Sequence, residues 1–469
     1  MTSTVDLFER AYLGHLPPQA ALTPTVPDDD GPELAARATP VEAFALRGYV
    51  LTPAGPVRGG YVVVSDGLIA DVTTRRPAHV RILDTGGVIL PGLIDLHGHP
   101  EFNVFAAWEP PKRFTNRYQW RSSAVYQALV RDPQNVLLTK LPPRTEVRYA
   151  EIRALVGGVT AIQGASGTDR RKEEALVRNV DLRIFGRRRA RGMIDLPSGT
   201  TGRAAEQLTG ILAGIAAGEV DTFYLHLAEG LAGDERSRRE FDRLVEFHAL
   251  TPATVVIHGT ALTVDQLDAV KQQGRGLVWS PQSNLRLYGE TTNAAAALDL
   301  GLPIALGADW LPTGSTSLLA EMTVARHELA RQGRAISSRD LVHMVTGGAA
   351  AIAGLGDVLG TIAPGRPADL LVLERHLPDP YDNVCEAYPS WVDLVLIGGD
   401  LTYGRRDWIR ALAAEPDHPG LEPVTAWGKP MLLDTAYSAE AGDGTTAPTL
   451  TQLRDSLTSA YPQVGPIFA

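Results

Sequence analysis

Six polar residues in this chain follow short apolar runs, and their types are those that bind metals and move protons. His97-Gly98-His99 closes the run Val88-Ile89-Leu90-Pro91-Gly92-Leu93-Ile94-Asp95-Leu96, which reads as one buried strand. Residues two apart on a strand share a face, so both imidazoles are expected on one face of a strand end. The pattern recurs in Phe223-Tyr224-Leu225-His226, with Glu229 three residues on, in Val255-Val256-Ile257-His258 and in Leu306-Gly307-Ala308-Asp309. Three neutral imidazoles and one carboxylate suit zinc or ferrous iron, with water in the open position. Such a metal lowers the pKa of its water to about 7, so hydroxide becomes available at neutral pH. Protons must then reach a leaving group, and Glu229 is the candidate general acid/base.

These residues meet only if the fold gathers strand ends. From about Arg47 to Ile89 the text is short and β-like, with a hairpin signal at Asp66-Gly67. Between Val88 and Gly354 apolar runs alternate with helical text such as Arg203 to Ala217, Arg238 to His248 and Thr263 to Gln273. After the strand at Val88, further strands are expected at Val159–Ile162, Asp181–Ile184, Met193–Leu196, Thr222–Leu225, Thr254–Ile257, Gly276–Trp279 and Pro303–Leu306. Eight strand–helix repeats predict an α/β fold, a (β/α)8 TIM-like barrel whose C-terminal strand ends converge on one site. Short strands return at Ala368–Leu373 and Val392–Ile397. A small β-sandwich built from the N- and C-terminal segments is therefore expected to flank the barrel. The predicted division is an irregular arm over 1–40, a composite β domain over 41–88 and 355–409, a barrel over 89–354, and a loose C-terminal extension over 410–469.

A length of 469 residues allows two or three structural units, and 44% hydrophobic against 21% charged residues fits a globular chain with a large core. The net charge of −10 offers no footprint for nucleic acid or an anionic membrane. The local basic run Arg187-Arg188-Arg189 with Arg191 reads as a solvated face. Cys385 is the single cysteine, which rules out an intrachain disulfide and a thiolate zinc cluster. With no apolar stretch of spanning length and no leader-like start, a cytoplasmic location is expected.

Taken in order, the motifs resemble the amidohydrolase superfamily, in its deaminase and chlorohydrolase-like branch (the cytosine and guanine deaminase type). They are Pro91-Gly92-Leu93-Ile94-Asp95-Leu96-His97-Gly98-His99, His226-Leu227-Ala228-Glu229, Ser280-Pro281-Gln282-Ser283-Asn284-Leu285 and Gly360-Thr361-Ile362-Ala363-Pro364-Gly365-Arg366-Pro367-Ala368-Asp369-Leu370. The likeness spans roughly Arg47 to Gly404. It implies His97, His99, His226 and Asp309 as ligands of one divalent metal, zinc or iron. Glu229 would shuttle protons, His258 would hydrogen-bond substrate or hydroxide, and Asp309 would also help deprotonate the water. Asn284 matches a position near the site in such proteins. The two-metal branches carry a carboxylated lysine at the fourth strand. None of Lys112, Lys140, Lys172, Lys271 and Lys429 falls at the expected fourth strand, so one metal is implied.

The chain also departs from its relatives. Trp310 follows Asp309 where many relatives have Ser or Gly, and the loop after the first strand carries Phe102, Phe105, Trp108, Phe114, Tyr118 and Trp120. Aromatics beside a site stack on planar rings, so Trp310, Trp108 and Phe102 join Asn284 as expected substrate contacts. The leading reading is a metal-dependent hydrolase of C–N bonds that deaminates a planar, aromatic or heterocyclic small molecule. Hydrolysis of a cyclic or linear amide, or ring dehalogenation, would use the same metal centre. A catalytically silent binding scaffold is the reading from another class, and a homodimer is the assembly considered.

Overall fold

Alternating apolar residues from Phe44 onward build one side of a sheet. The computed structural model describes residues 43–164, 175–182, 184–186, 189–413, 420–436 and 448–468. The arm over 1–40, Lys172 and the Arg187-Arg188 pair lie outside the described residues. Strands β1 (Phe44–Thr52), β2 (Gly55–Ser65) and β3 (Leu68–Thr73) are antiparallel neighbours, and Asp66-Gly67 turns the chain between the last two. β4 (Arg81–Pro91) returns parallel to β1. The chain then changes sheets at Gly92, and β5 (Leu93–Asp95) begins elsewhere. A Cβ on Gly92 would lie 2.2 Å from Thr160 Oγ1, so the crossing between sheets leaves no room for a side chain. The run expected as one strand is therefore two. His97 and His99 lie in irregular chain beyond β5, not on a strand.

All remaining strands up to the middle of the chain are parallel. β5 pairs with β6 (Val159–Ile162), which pairs with β7 (Arg178–Asn179). β8 (Arg189–Met193), β9 (Val220–Leu227), β10 (Thr254–His258), β11 (Gly276–Trp279) and β12 (Ile304–Leu306) form a second sheet in sequence order. Helices Arg203–Ala216, Glu235–Glu246 and Val264–Gln273 alternate with these strands. A parallel bridge between Gly98 and Asp309 ties the chain leaving β5 to that leaving β12.

Two strands sit several residues before their expected places. The apolar text at 181–184 follows β7, with Val180 and Ile184 in the core beyond it, and that at 193–196 mostly follows β8. β7 carries no apolar text because Arg178 is buried there in an ion pair with Asp369, Nε to Oδ2 2.6 Å.

The last strands close the first sheet. β13 (Leu370–Leu373) lies antiparallel to β4, followed by β14 (Val392–Ile397), β15 (Asp400–Arg405), then β16 (Leu421–Ala426) and β17 (Lys429–Asp434). The order in this nine-stranded sheet is β16-β17-β15-β14-β13-β4-β1-β2-β3. Side-chain alternation gives it two apolar faces. Ile89, Leu370, Val372, Leu394 and Leu396 pack with Trp408 and Ile409, whereas Leu90, Leu371, Leu373, Val395 and Ile397 join the core of the parallel strands.

The expected loose C-terminal extension is corrected here. It supplies β16 and β17, and helix Leu450–Ala460 buries Leu450, Leu453 and Leu457. Their spacing is a helical stripe set inside otherwise turn-like composition. Arg153 further ties down the chain end by donating to the carbonyls of Gly465 and Pro466.

Candidate active site

Each of the six expected polar residues sits where a parallel strand stops, and the backbone there is bent to present it. Ala228, His258 and Asp309 all adopt left-handed conformations, with φ of 53°, 67° and 61°. For residues with a Cβ this costs about 1–3 kcal/mol each and persists only where neighbours impose it. The neighbours are present. Ala228 N donates to the buried carboxylate of Glu240 at 2.7 Å, Thr292 Oγ1 donates to His258 O at 2.6 Å, and Asp309 N donates to His97 O at 2.8 Å. Gly307 allows the last approach, since a Cβ there would lie 2.3 Å from that of His97.

Four ligand atoms converge. His97 Nε2 lies 3.2 Å from His99 Nε2 and 3.1 Å from His226 Nε2, and Asp309 Oδ1 is 3.4 Å from both His97 Nε2 and His99 Nε2. His97 Nδ1 lies 2.7 Å from Ser280 Oγ, and the tautomer that donates from Nδ1 keeps a lone pair on Nε2. Burial pushes all three imidazoles below their ordinary pKa, His99 to about 3, so they are neutral and could serve as ligands. Lone pairs aimed at one point repel unless a cation sits between them. Donors about 2.0–2.1 Å from a tetrahedral metal are about 3.3 Å apart, and these four separations match that edge length.

Beside these atoms stand Glu229 and His258. Glu229 Oε2 is 3.7 Å from His258 Nε2. Helix Pro281–Tyr288 follows β11, with Pro281 at its first turn and Gly289 in the left-handed conformation at its end. Asn284 and Tyr288, four residues apart, share one face of it. Asn284 Nδ2 donates to Thr291 Oγ1 at 3.1 Å, which turns Oδ1 toward His258 Nδ1 at 2.9 Å. Asn284 thus orients His258 and does not line the cavity.

A cavity of about 470 Å³ opens over these atoms. Phe102, Trp120, Tyr126 and Trp310 form one wall, with Trp120 and Trp310 tilted by 31° at 5.3 Å between ring centroids. Trp108, expected as a substrate contact, is instead buried in the core, its backbone N–H bonded to Pro312 O. Sequence reasoning missed two further lining residues, Arg117 and Arg121. Helix Arg117–Arg121 places Arg117, Trp120 and Arg121 on one face, and both arginines pair with Asp195, at 2.9 and 2.8 Å. Arg117 also meets Glu240 at 3.0 Å. Only the i, i+3, i+4 spacing in that short segment could have signalled it. A second cavity, of about 1510 Å³, shares His99, Ile194 and His226 with the first.

Residues 202–402 match the amidohydrolase family model. A 5-methylthioadenosine/S-adenosylhomocysteine deaminase of Teredinibacter turnerae is 24% identical over 349 residues, covering 67% of this chain and 77% of that protein. A 5'-deoxyadenosine deaminase of Methanothermobacter thermautotrophicus is 25% identical over 418 residues, covering 76% and 92% respectively. Among solved structures, an adenosine deaminase from Xanthomonas campestris with bound zinc superposes with a TM-score of 0.63 at 18% identity, covering 90% of this chain and 100% of that one. No helix among the described residues is long and apolar enough to cross a membrane. Over residues 202–402 the chain is thus similar to the amidohydrolase family.

Proposed function

We propose that this chain is a metal-dependent hydrolase of C–N bonds that deaminates an aminated planar heterocycle, with adenine nucleosides as the first substrate class to test. The observation that carries the reading is the set of three neutral, buried imidazoles and the Asp309 carboxylate, with His97 Nε2 3.1–3.4 Å from the other three donor atoms, beside Glu229 Oε2 held 3.7 Å from His258. His97, His99, His226 and Asp309 would hold one divalent ion, zinc in preference to ferrous iron given the nitrogen-rich donor set. A metal held there supplies a water that is nucleophilic at neutral pH.

The protein's own groups then handle substrate and protons. The Trp120–Trp310 wall takes the flat face of the ring. Glu229 takes a proton from the attacking water and delivers it to the nitrogen as the C–N bond breaks, so that ammonia leaves. His258, with Nδ1–H given to Asn284, faces the cavity with Nε2 as an acceptor for the water or for a polar group of the ring. The aromatic lining of the cavity suits a flat ring, and the adjoining larger cavity, which shares His99, Ile194 and His226 with it, offers room for a substituent on that ring. The same reading takes the eight parallel strands as a (β/α)8 barrel meeting at the Gly98–Asp309 bridge. It takes the nine-stranded sheet as folded over its inner core as a sandwich.

Metal-loaded protein should release ammonia from adenine nucleosides, measured by a coupled ammonia assay. Absence of release from every aminated heterocycle tried, with the metal in place, overturns deamination. Turnover of cyclic amides in its stead would redirect the reading to amide hydrolysis.

A further inference from the structure

We infer that Tyr288, backed by Trp120, is a positioning residue that fixes which oxygen of Glu229 carries the proton. This rests on the reading of Glu229 as the acid/base group.

Tyr288 OH lies 2.6 Å from Glu229 Oε1, and Trp120 Nε1 lies 2.8 Å from Tyr288 OH. An indole nitrogen only donates. Its N–H therefore occupies an acceptor position of the phenol oxygen, and the hydroxyl hydrogen turns to Glu229 Oε1. Oε1 is then an acceptor in either charge state of Glu229. A proton taken up by this carboxyl goes to Oε2, the oxygen beside His258. Tyr288 and Glu229 are both buried, at 2% and 3% exposure, so water does not compete for these bonds. Burial and the adjacent carboxylate also hold Tyr288 well above the ordinary phenol pKa, which keeps it a donor.

The placement has a structural logic. Tyr288 ends the helix whose preceding turn carries Asn284, so a single helix face orients Glu229 through one residue and His258 through the other. Trp120 belongs to the aromatic wall and stacks on Trp310. The surface expected to hold the ring is thereby joined, through two hydrogen bonds, to the group that protonates its nitrogen.

The test uses metal-loaded wild type, Tyr288→Phe, Trp120→Phe, their double variant, and Tyr288→Phe combined with Glu229→Gln. Loss of a buried hydrogen bond to a charged group should lower kcat in Tyr288→Phe by about tenfold or more, with KM and metal content at wild-type values. Trp120→Phe should lower kcat less, and the double variant should match Tyr288→Phe, because Trp120 acts through the phenol. Adding Tyr288→Phe to Glu229→Gln should change nothing further. Wild-type kcat in Tyr288→Phe, a loss confined to KM or metal, or additive losses in the double variant would each overturn the inference. A wild type inactive on all substrates would instead sink the acid/base reading. The relay has its own readout. The Trp120 indole ¹H–¹⁵N resonance, assigned by its absence in Trp120→Phe, should move in Tyr288→Phe, and an unmoved resonance contradicts the hydrogen bond.

Discussion

The nine-stranded sheet and the parallel strands both turn the chain with left-handed residues, but they place different residues there. In the sheet the turns are Asp66-Gly67, Gly398-Gly399 and Trp427-Gly428, with glycine φ between 58° and 82°. Two-residue hairpins of this kind need positive φ at both central positions, and glycine adopts it freely. At the ends of the parallel strands Gly164 and Gly259 also have positive φ, but the left-handed conformation falls on Ala228, His258 and Asp309 as well. Glycine would relieve the strain at His258 and Asp309, but it would remove an imidazole and a carboxylate from the cavity. The sheet turns have no such side-chain duty. The two regions also differ in their interiors. The sheet sorts alternate apolar residues into two cores, whereas the strand ends bury His97, His226, Glu229, His258 and Asp309 together.

Variants on each side should separate stability from chemistry. The largest effect is expected at Glu229. Its change to Gln should lower kcat by about 10²-fold or more while melting temperature and metal content stay unchanged, since an amide cannot relay the proton. Near-normal turnover in that variant would assign the proton to another group. The mirror experiment is Leu396→Ala, in a fully buried position of β14. It should cost about 2–5 kcal/mol of stability in denaturant titrations and leave kcat per folded molecule alone. A comparable loss of kcat there would show that the two regions are not separable.

A smaller change is expected at Trp310. Removing its stacking surface in Trp310→Ala should raise KM several-fold, in line with about 0.5–1.5 kcal/mol for aromatic pairs, with metal content intact. An unchanged KM would mean the wall does not read the substrate. The smallest effect concerns Glu321, which lies beneath the site and accepts from Gln282 N at 3.0 Å. Burial raises its pKa to about 8. A raised carboxyl is protonated in the folded state, so its contribution is present below the unfolded value of about 4.3 and lost as pH rises through about 8. Glu321→Gln should therefore gain on wild type in paired thermal melts as pH rises from about 5 to 8, with little further change above that. Parallel pH curves for the two proteins would contradict this.

Much of this was readable in the chain because it follows periodicity. The apolar runs before His226, His258 and Asp309 are strands, and those residues do stand at their ends. What failed did so for physical reasons. β7 is polar because Arg178 answers Asp369, almost two hundred residues away, so no local pattern betrays it. The break at Gly92 depends on the closeness of Thr160. Trp108 and Trp120 look alike in an aromatic loop, and only the packing sends one to the core and the other to the cavity. Tyr288 gains its role from partners in two distant segments, Trp120 and Glu229.

The central claim is that four strand-end residues hold one metal ion, and elemental analysis of purified protein tests it most directly. Wild type and Glu229→Gln should each carry close to one equivalent of zinc or iron, and the His97→Ala/His99→Ala double variant should carry almost none while keeping its fold by circular dichroism. Metal-free protein that still turns over substrate, or a double variant with undiminished metal, would contradict the account.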